Sequence, residues 1–303
     1  MADRREDVGG AGPSRCARFA RPAALAALAL ILAGCRYDVF DAKGPVGRAD
    51  ALITLDALVI MLAIVVPTIL ATLGFAWWFR ASNTRARYRP EWNFSGRLEL
   101  LVWAIPILVI MFLGGVIWIG SHQLDPAEPL PSSPKAPPVN VQVVSMDWKW
   151  LFIYPEQGVA SVNRLVIPVG TPVRFTLTSS SVLNVFFVPQ LGSMIYTMNG
   201  MADRLWLQAS HPGTYLGESG MFSGDGFSDM HFAVDAVQPQ AFGPWVQAAR
   251  GSGPTLDQAA YRQLQVQSTG VKPFTYRATA PNLFANIVTQ KLPPGPGPAA
   301  KPG

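Results

Sequence analysis

At 303 residues, half of them hydrophobic and only 14% charged, the chain is too apolar for a simple soluble globule and long enough for more than one module. Its formal charge of +5 does not mark a nucleic-acid binder, because the basic residues gather at the extreme N-terminus and in one short interior loop rather than along a folded face. The two cysteines, Cys16 and Cys35, both precede the first long apolar stretch, so nothing downstream offers a thiolate or a disulfide.

Residues 1–34 read as a lipoprotein signal peptide: arginines at 4, 5, 15, 18 and 21, then the run "AALAALALILAGC", too short to span a bilayer comfortably. Its end, Leu32-Ala33-Gly34-Cys35, resembles the bacterial lipobox. That resemblance implies cleavage before Cys35, a thioether to diacylglycerol, and acylation with a fatty acid such as palmitate. A plain signal peptide or an uncleaved anchor is the alternative. Residues 35–50 then form an extracytoplasmic N-terminal segment.

Two spanning helices are expected at 51–80 and 98–121. The first is uncharged from Ala57 to Phe79, the second from Leu100 to Ser121. At about 1.5 Å per residue each can cross roughly 30 Å of hydrocarbon. Pro67 and Pro106 inside them are read as kinks. The connection at 81–97, with Arg80 at its edge, carries Arg85, Arg87, Arg89 and Arg97 against the single acid Glu91, so the positive-inside rule puts it in the cytoplasm. Both mature termini then face the periplasm, the orientation that a lipidated Cys35 also needs.

Residues 122–138, containing "DPAEPLPSSPKAPP", read as a proline-rich spacer. From 139 to 238 short runs rich in valine, threonine and aromatics alternate with turn residues, the pattern of an all-β sandwich or barrel. "VNVQVVSMDWKWLFIY" opens that region as one strand, with Trp148 and Trp150 on one face, packed on the sandwich or a partner, and Asp147 and Lys149 on the other. Residues 239–290 read as a mixed, aromatic-rich segment of short amphipathic helices, and 291–303 as a disordered tail.

The order of lipobox, two-helix hairpin, proline linker and small β-domain resembles subunit II of the haem-copper terminal oxidases. That resemblance implies a cupredoxin-like sandwich. In the members that oxidise cytochrome c, the sandwich binds two copper ions through an upstream histidine and a loop Cys-x3-Cys-x3-His-x2-Met, with a glutamate carbonyl between the cysteines. Laid on this pattern, "GESGMFSGDGFSDM" aligns without a gap from Gly217 to Met230. Ser219 and Ser223 fall at the cysteines, Met221 at the glutamate, Phe227 at the histidine and Met230 at the methionine; Asn184 matches the upstream histidine. Of the ligands only Met230 remains, and a lone thioether does not hold copper(II) usefully. His122, His211 and His231 fall at no ligand position.

Together with "VVSMDWKWLFIYPEQG" and "VLNVFFVPQLGSMIYTMNGM", the substituted loop resembles the quinol-oxidising branch, the cytochrome bo-type ubiquinol oxidases, from about residue 30 to 290. The resemblance implies a non-redox subunit II of a proton-translocating oxidase that oxidises ubiquinol and reduces oxygen to water. No catalytic, cofactor or metal residue is expected in this chain. Haem and copper are expected in subunit I, and the implied partners are subunit I, further membrane subunits and membrane lipid, not cytochrome c. The sequence leaves two other readings: a copper-bearing cytochrome c oxidase subunit, opposed by the missing ligands, and a membrane-anchored lipoprotein binding module.

Overall fold

The computed structural model describes residues 39–87, 89–132 and 136–297. The proposed signal peptide and Cys35 lie outside them.

Two helices long and apolar enough to cross a membrane come first, α1 at Pro45–Trp78 and α2 at Gly96–Gln123. They pack antiparallel: a Cβ on Gly120, late in α2, would stand 2.7 Å from Ile53, early in α1. Near Pro67 the Thr68 and Thr72 hydroxyls donate to the carbonyls of Ile64 and Thr68.

Helix α1 starts at Pro45, six residues before the expected boundary, and so takes in the charged Arg48 and Asp50. The reason is tertiary, since its first turn seats on the β-domain. Lys43 N–H donates to Gln190 O at 2.7 Å, Gly47 N–H to Leu191 O at 3.0 Å, and Ser210 N–H to Lys43 O at 2.7 Å. A Cβ on Gly44 would stand 2.4 Å from the Gln208 carbonyl, so only glycine permits this approach. The proline-rich stretch after α2 also departs from the spacer expected there. Trp206 N–H donates to Pro126 O at 3.0 Å, which ties the chain below α2 to the same domain. Both ends of the hairpin are thus fastened by backbone hydrogen bonds.

The β-domain is a two-layer sandwich. One sheet runs β12-β3-β2-β1-β5-β8 and the other β4-β10-β9-β6-β7. In chain order these are β1 Val139–Met146, β2 Lys149–Tyr154, β3 Val159–Val162, β4 Arg164–Pro168, β5 Val173–Ser179, β6 Asn184–Phe187, β7 Ile195–Thr197, β8 Asp203–Leu207, β9 Gly213–Ser219, β10 His231–Val237 and β12 Phe274–Tyr276. The first sheet pairs β1 with β5 in parallel, the second β4 with β10; the other ladders within these two sheets are antiparallel. Trp150, Phe152, Phe175, Phe186 and Phe232 fill the space between the sheets. The Phe186 and Phe232 rings stack at 5.3 Å, and Trp150 meets both within 5.5 Å.

The run 139–154 is two strands, not one. Sixteen residues exceed the usual strand length, and the chain reverses at Asp147-Trp148, so that Met146 pairs with Lys149. Trp148 lies in this turn at φ 65° rather than beside Trp150 on a strand face. Within β2 the alternation holds: Trp150, Phe152 and Tyr154 enter the inter-sheet core, while Leu151 and Ile153 enter a second core on the outer face.

The C-terminal segment covers that outer face. Of its elements, β11 Thr255–Leu256, α4 Gln258–Leu264, β12, β13 Ala278–Thr279 and α5 Leu283–Val288 lie on that side, whereas α3 Pro239–Arg250 buries Val246 and Ala249 in the inter-sheet core. Leu256, Tyr261, Leu283, Phe284 and Ile287 bury against Val144, Leu151 and Ile153. Burial on both faces explains why β2 is apolar without a break except for Lys149, whose ammonium donates to Val266 O at 2.7 Å and Ser268 Oγ at 2.6 Å. The tail is also ordered as far as Gly297, contrary to the disorder expected from 291. Leu292 is buried, and Gly295 N–H donates to Ser180 O at 2.7 Å.

Candidate functional site

Five of the six aligned positions, all but the exposed Met221, gather at one end of the five-stranded sheet. β6 begins at Asn184, β9 ends at Ser219, and β10 begins just after Met230, so neighbouring strands deliver all three to one place. Ser219 N–H donates to Met230 O at 3.2 Å and Gly220 N–H to Val185 O at 3.1 Å, closing the mouth of the loop. A short 3-10 turn at Phe227–Asp229 leads into β10. Asn184, Ser219, Ser223 and Met230 are buried, and Phe227 is half-buried.

Within the loop the polar groups satisfy one another. The Ser219 hydroxyl lies 3.3 Å from both Asn184 Oδ1 and the Met221 carbonyl, either of which accepts its proton; it accepts in turn from Val185 N–H at 3.5 Å. Asn184 Nδ2 donates to Val182 O at 3.3 Å, and the Asn184 carbonyl accepts from the Thr197 hydroxyl at 3.2 Å. The Ser223 hydroxyl donates to Met230 Sδ at 3.8 Å. The structure therefore makes two pairs, Asn184 with Ser219 and Ser223 with Met230. Phe227 joins neither. Its ring meets the strongly exposed Phe222 edge-on at 5.6 Å.

Two further residues shape the loop: Trp148, which the sequence placed on a strand face and not at this loop, and Gly226, which it did not single out. Trp148, brought over the loop by the β1–β2 turn, donates its indole N–H to Ser223 O at 3.1 Å. Gly226 lies under that indole, where a Cβ would come within 2.4 Å of the ring. Reading 139–154 as one strand hid this role; the excess length of the run was the available signal.

Comparison with known proteins fixes the family. The model for "Cytochrome C oxidase subunit II, periplasmic domain" matches residues 156–237. "Ubiquinol oxidase subunit 2" of Acetobacter aceti is 49% identical over 275 residues, 90% of this chain and 89% of that one. "Cytochrome bo(3) ubiquinol oxidase subunit 2" of Pseudomonas aeruginosa is 45% identical over 262 residues, 86% and 78% of the two chains. "Quinol oxidase subunit 2" of Bacillus cereus is 36% identical over 242 residues, 78% and 82%. The chain belongs to the ubiquinol oxidase subunit 2 family.

In this subunit 2 the donors at the loop do not fit a copper pair. They are one carboxamide, two hydroxyls, a phenyl ring and one thioether, with no thiolate to bridge two ions and no imidazole. The histidines do not repair the set. His231 adjoins Met230, but strand alternation turns it outward to an exposed position while Met230 and Phe232 point in. His122 lies in the last turn of α2, with Nδ1 2.8 Å from the Trp118 carbonyl. Among the described residues no three His, Cys, Asp or Glu side chains are grouped to hold a metal.

Proposed function

We propose that this chain is the non-redox second subunit of a membrane-bound terminal oxidase that takes electrons from ubiquinol, reduces oxygen to water and translocates protons. The observation that carries this reading is the donor set of the 219–230 loop. It supports a subunit with no electron entry port of its own, beside a subunit I that holds haem and copper. Quinol is lipid-soluble and can deliver electrons from within the membrane, so such a complex needs no docking site for cytochrome c. The work of this chain is mechanical: α1 and α2 pack on subunit I and further membrane subunits, and the sandwich, fastened at both ends of the hairpin, caps the complex.

The proposed topology has the loop of residues 81–97 in the cytoplasm and the sandwich in the periplasm. It is supported by the arginine excess of that loop and by the lipobox resemblance ending at Cys35. Lipidation of Cys35 belongs to the same reading. So do the assignments of Asn184, Ser219, Ser223 and Phe227 as former ligand positions and of Met230 as the one retained.

The test is elemental analysis of the purified full-length chain together with the visible spectrum of the complex it brings with it. The expected outcome is haem in the complex and no stoichiometric copper on the isolated chain. Stoichiometric copper there would overturn the non-redox assignment. Isolation without any haem-bearing partner would favour a free-standing binding module.

A further inference from the structure

The connection between α1 and α2 is folded into a cleft of about 850 Å3, lined by Trp78, Arg80, Arg85, Arg87, Arg89 and Trp92. Asn83 shapes it. Its Nδ2 donates to the last-turn carbonyl of Trp78 at 2.5 Å, its Oδ1 accepts from Arg85 N–H at 3.2 Å, and its own N–H donates to Arg80 O at 2.9 Å. These bonds turn the chain back beneath the helix end and bring the guanidiniums to one space. Arg80 is further held over the Trp77 ring, 5.1 Å from its centroid, and by Ser82 at 3.1 Å.

The ion pairs among the described residues are Lys43 with Asp41 and Arg164 with Asp235, and neither lies in this connection. Four arginines therefore face one cleft without a carboxylate, at the end of a helix long enough to cross a membrane. Glu91 is the one acid between Arg80 and Arg97. A planar guanidinium offers forked N–H donors that match a phosphodiester in two parallel hydrogen bonds, which an ammonium cannot do. Trp78 and Trp92 supply amphipathic walls, the kind of side chain favoured where headgroup meets hydrocarbon.

We infer that this cleft binds the headgroup of an anionic membrane phospholipid, with its phosphodiester among Arg85, Arg87 and Arg89 and its glycerol carbons against the tryptophans. The site is separate from the 219–230 loop and does not depend on how that loop is read. Lipid is the occupant to which the geometry commits, rather than free phosphate, because aromatic walls beside the arginines suit a ligand with an apolar part that is already anchored in the bilayer.

Native mass spectrometry of the full-length chain in detergent, supplied with equal amounts of phosphatidylglycerol and phosphatidylcholine, tests this. The native chain should retain phosphatidylglycerol in preference to phosphatidylcholine, and the triple variant R85Q/R87Q/R89Q should weaken that retention by about a hundredfold. Because removing arginines can also disturb insertion, the charge-preserving variant R85K/R87K/R89K is measured beside it, with membrane insertion checked for each. It should retain the lipid clearly less well than the native chain. Three results would overturn the inference: no preference for the anionic lipid, equal retention by the lysine variant, or displacement of the lipid by millimolar inorganic phosphate. The lysine result would reduce the site to general surface charge, and the phosphate result to a free-anion site.

Discussion

Trp148 is the residue whose removal should expose how the loop is held. It is 8% exposed despite lying in a turn, and its indole donates to Ser223 O at 3.1 Å. Truncation to alanine withdraws about 200 Å2 of apolar surface, worth about 5 kcal/mol at 25 cal/mol per Å2 if the whole area were lost to water. It also strands a nearly buried carbonyl, at about 1 kcal/mol. The site borders solvent, so the loop can collapse in part, and the net loss expected for Trp148→Ala is about 3 kcal/mol. Trp148→Phe keeps most of the area and loses the donor, so about 1 to 1.5 kcal/mol is expected. The positive φ is kept in both variants and cancels from the comparison. Urea unfolding of the full-length chain in detergent gives the two losses. Hydrogen exchange should show the amides of Ser219, Gly220 and Met230, which bond to Met230 O, Val185 O and Phe227 O, losing protection first. If Trp148→Ala costs less than about 0.5 kcal/mol and these amides stay protected, the indole is not what holds the loop.

Asn184→Leu, which keeps the branched shape of a fully buried side chain at a larger volume but removes its long 3.3 Å hydrogen bonds, should cost about 1 to 3 kcal/mol and leave quinol oxidase turnover unchanged. A turnover loss in a folded variant would assign the position a chemical role. Lys149 is held down to about 8 by burial, only partly offset by Asp147, so the unfolded chain binds more protons above that pH. Folding stability should therefore rise with pH, by roughly 2 kcal/mol between pH 7 and 9.5, and Lys149→Met should lack the slope. Above about pH 10 the trend reverses, because burial raises Tyr154 and Tyr261 while unfolded tyrosines ionise at their ordinary value. Cys35→Ala should leave the precursor at its uncleaved mass yet still in the membrane through the hairpin. Cleavage unchanged in the variant would count against lipidation.

The parts legible in the sequence were those specified locally. Uncharged runs gave the two helices, alternation and turn residues gave most strands, and the spacing from Gly217 to Met230 gave a loop whose marked positions do converge. What stayed hidden depends on distant contacts. Charged residues at the start of α1 end an apolar reading, yet the helix continues through them because Asp50 accepts from Ser193 Oγ at 3.0 Å and Gly44 meets the Gln208 carbonyl. Residues 139–154 read as one long strand, and only the C-terminal segment shows that both faces of β2 are covered. That segment in turn has too little period of its own to reveal that β12 extends the sheet.

The loop holds its shape without metal donors because its frame is held from outside the aligned positions. Gly217 leaves room for Phe232, whose ring would meet a Cβ at 2.2 Å, and this fixes the end of β9 against β10. Gly226 does the same for Trp148 at the far end of the loop. Between these fixed points a buried hydroxyl without a partner would cost about 1 to 3 kcal/mol. Each serine instead finds one within the set: Ser219 the carboxamide of Asn184, Ser223 the sulfur of Met230. Met230 is therefore the structural partner of Ser223, and changing it alone should strand that hydroxyl, whereas changing Asn184 leaves the Ser219 hydroxyl the Met221 carbonyl at 3.3 Å.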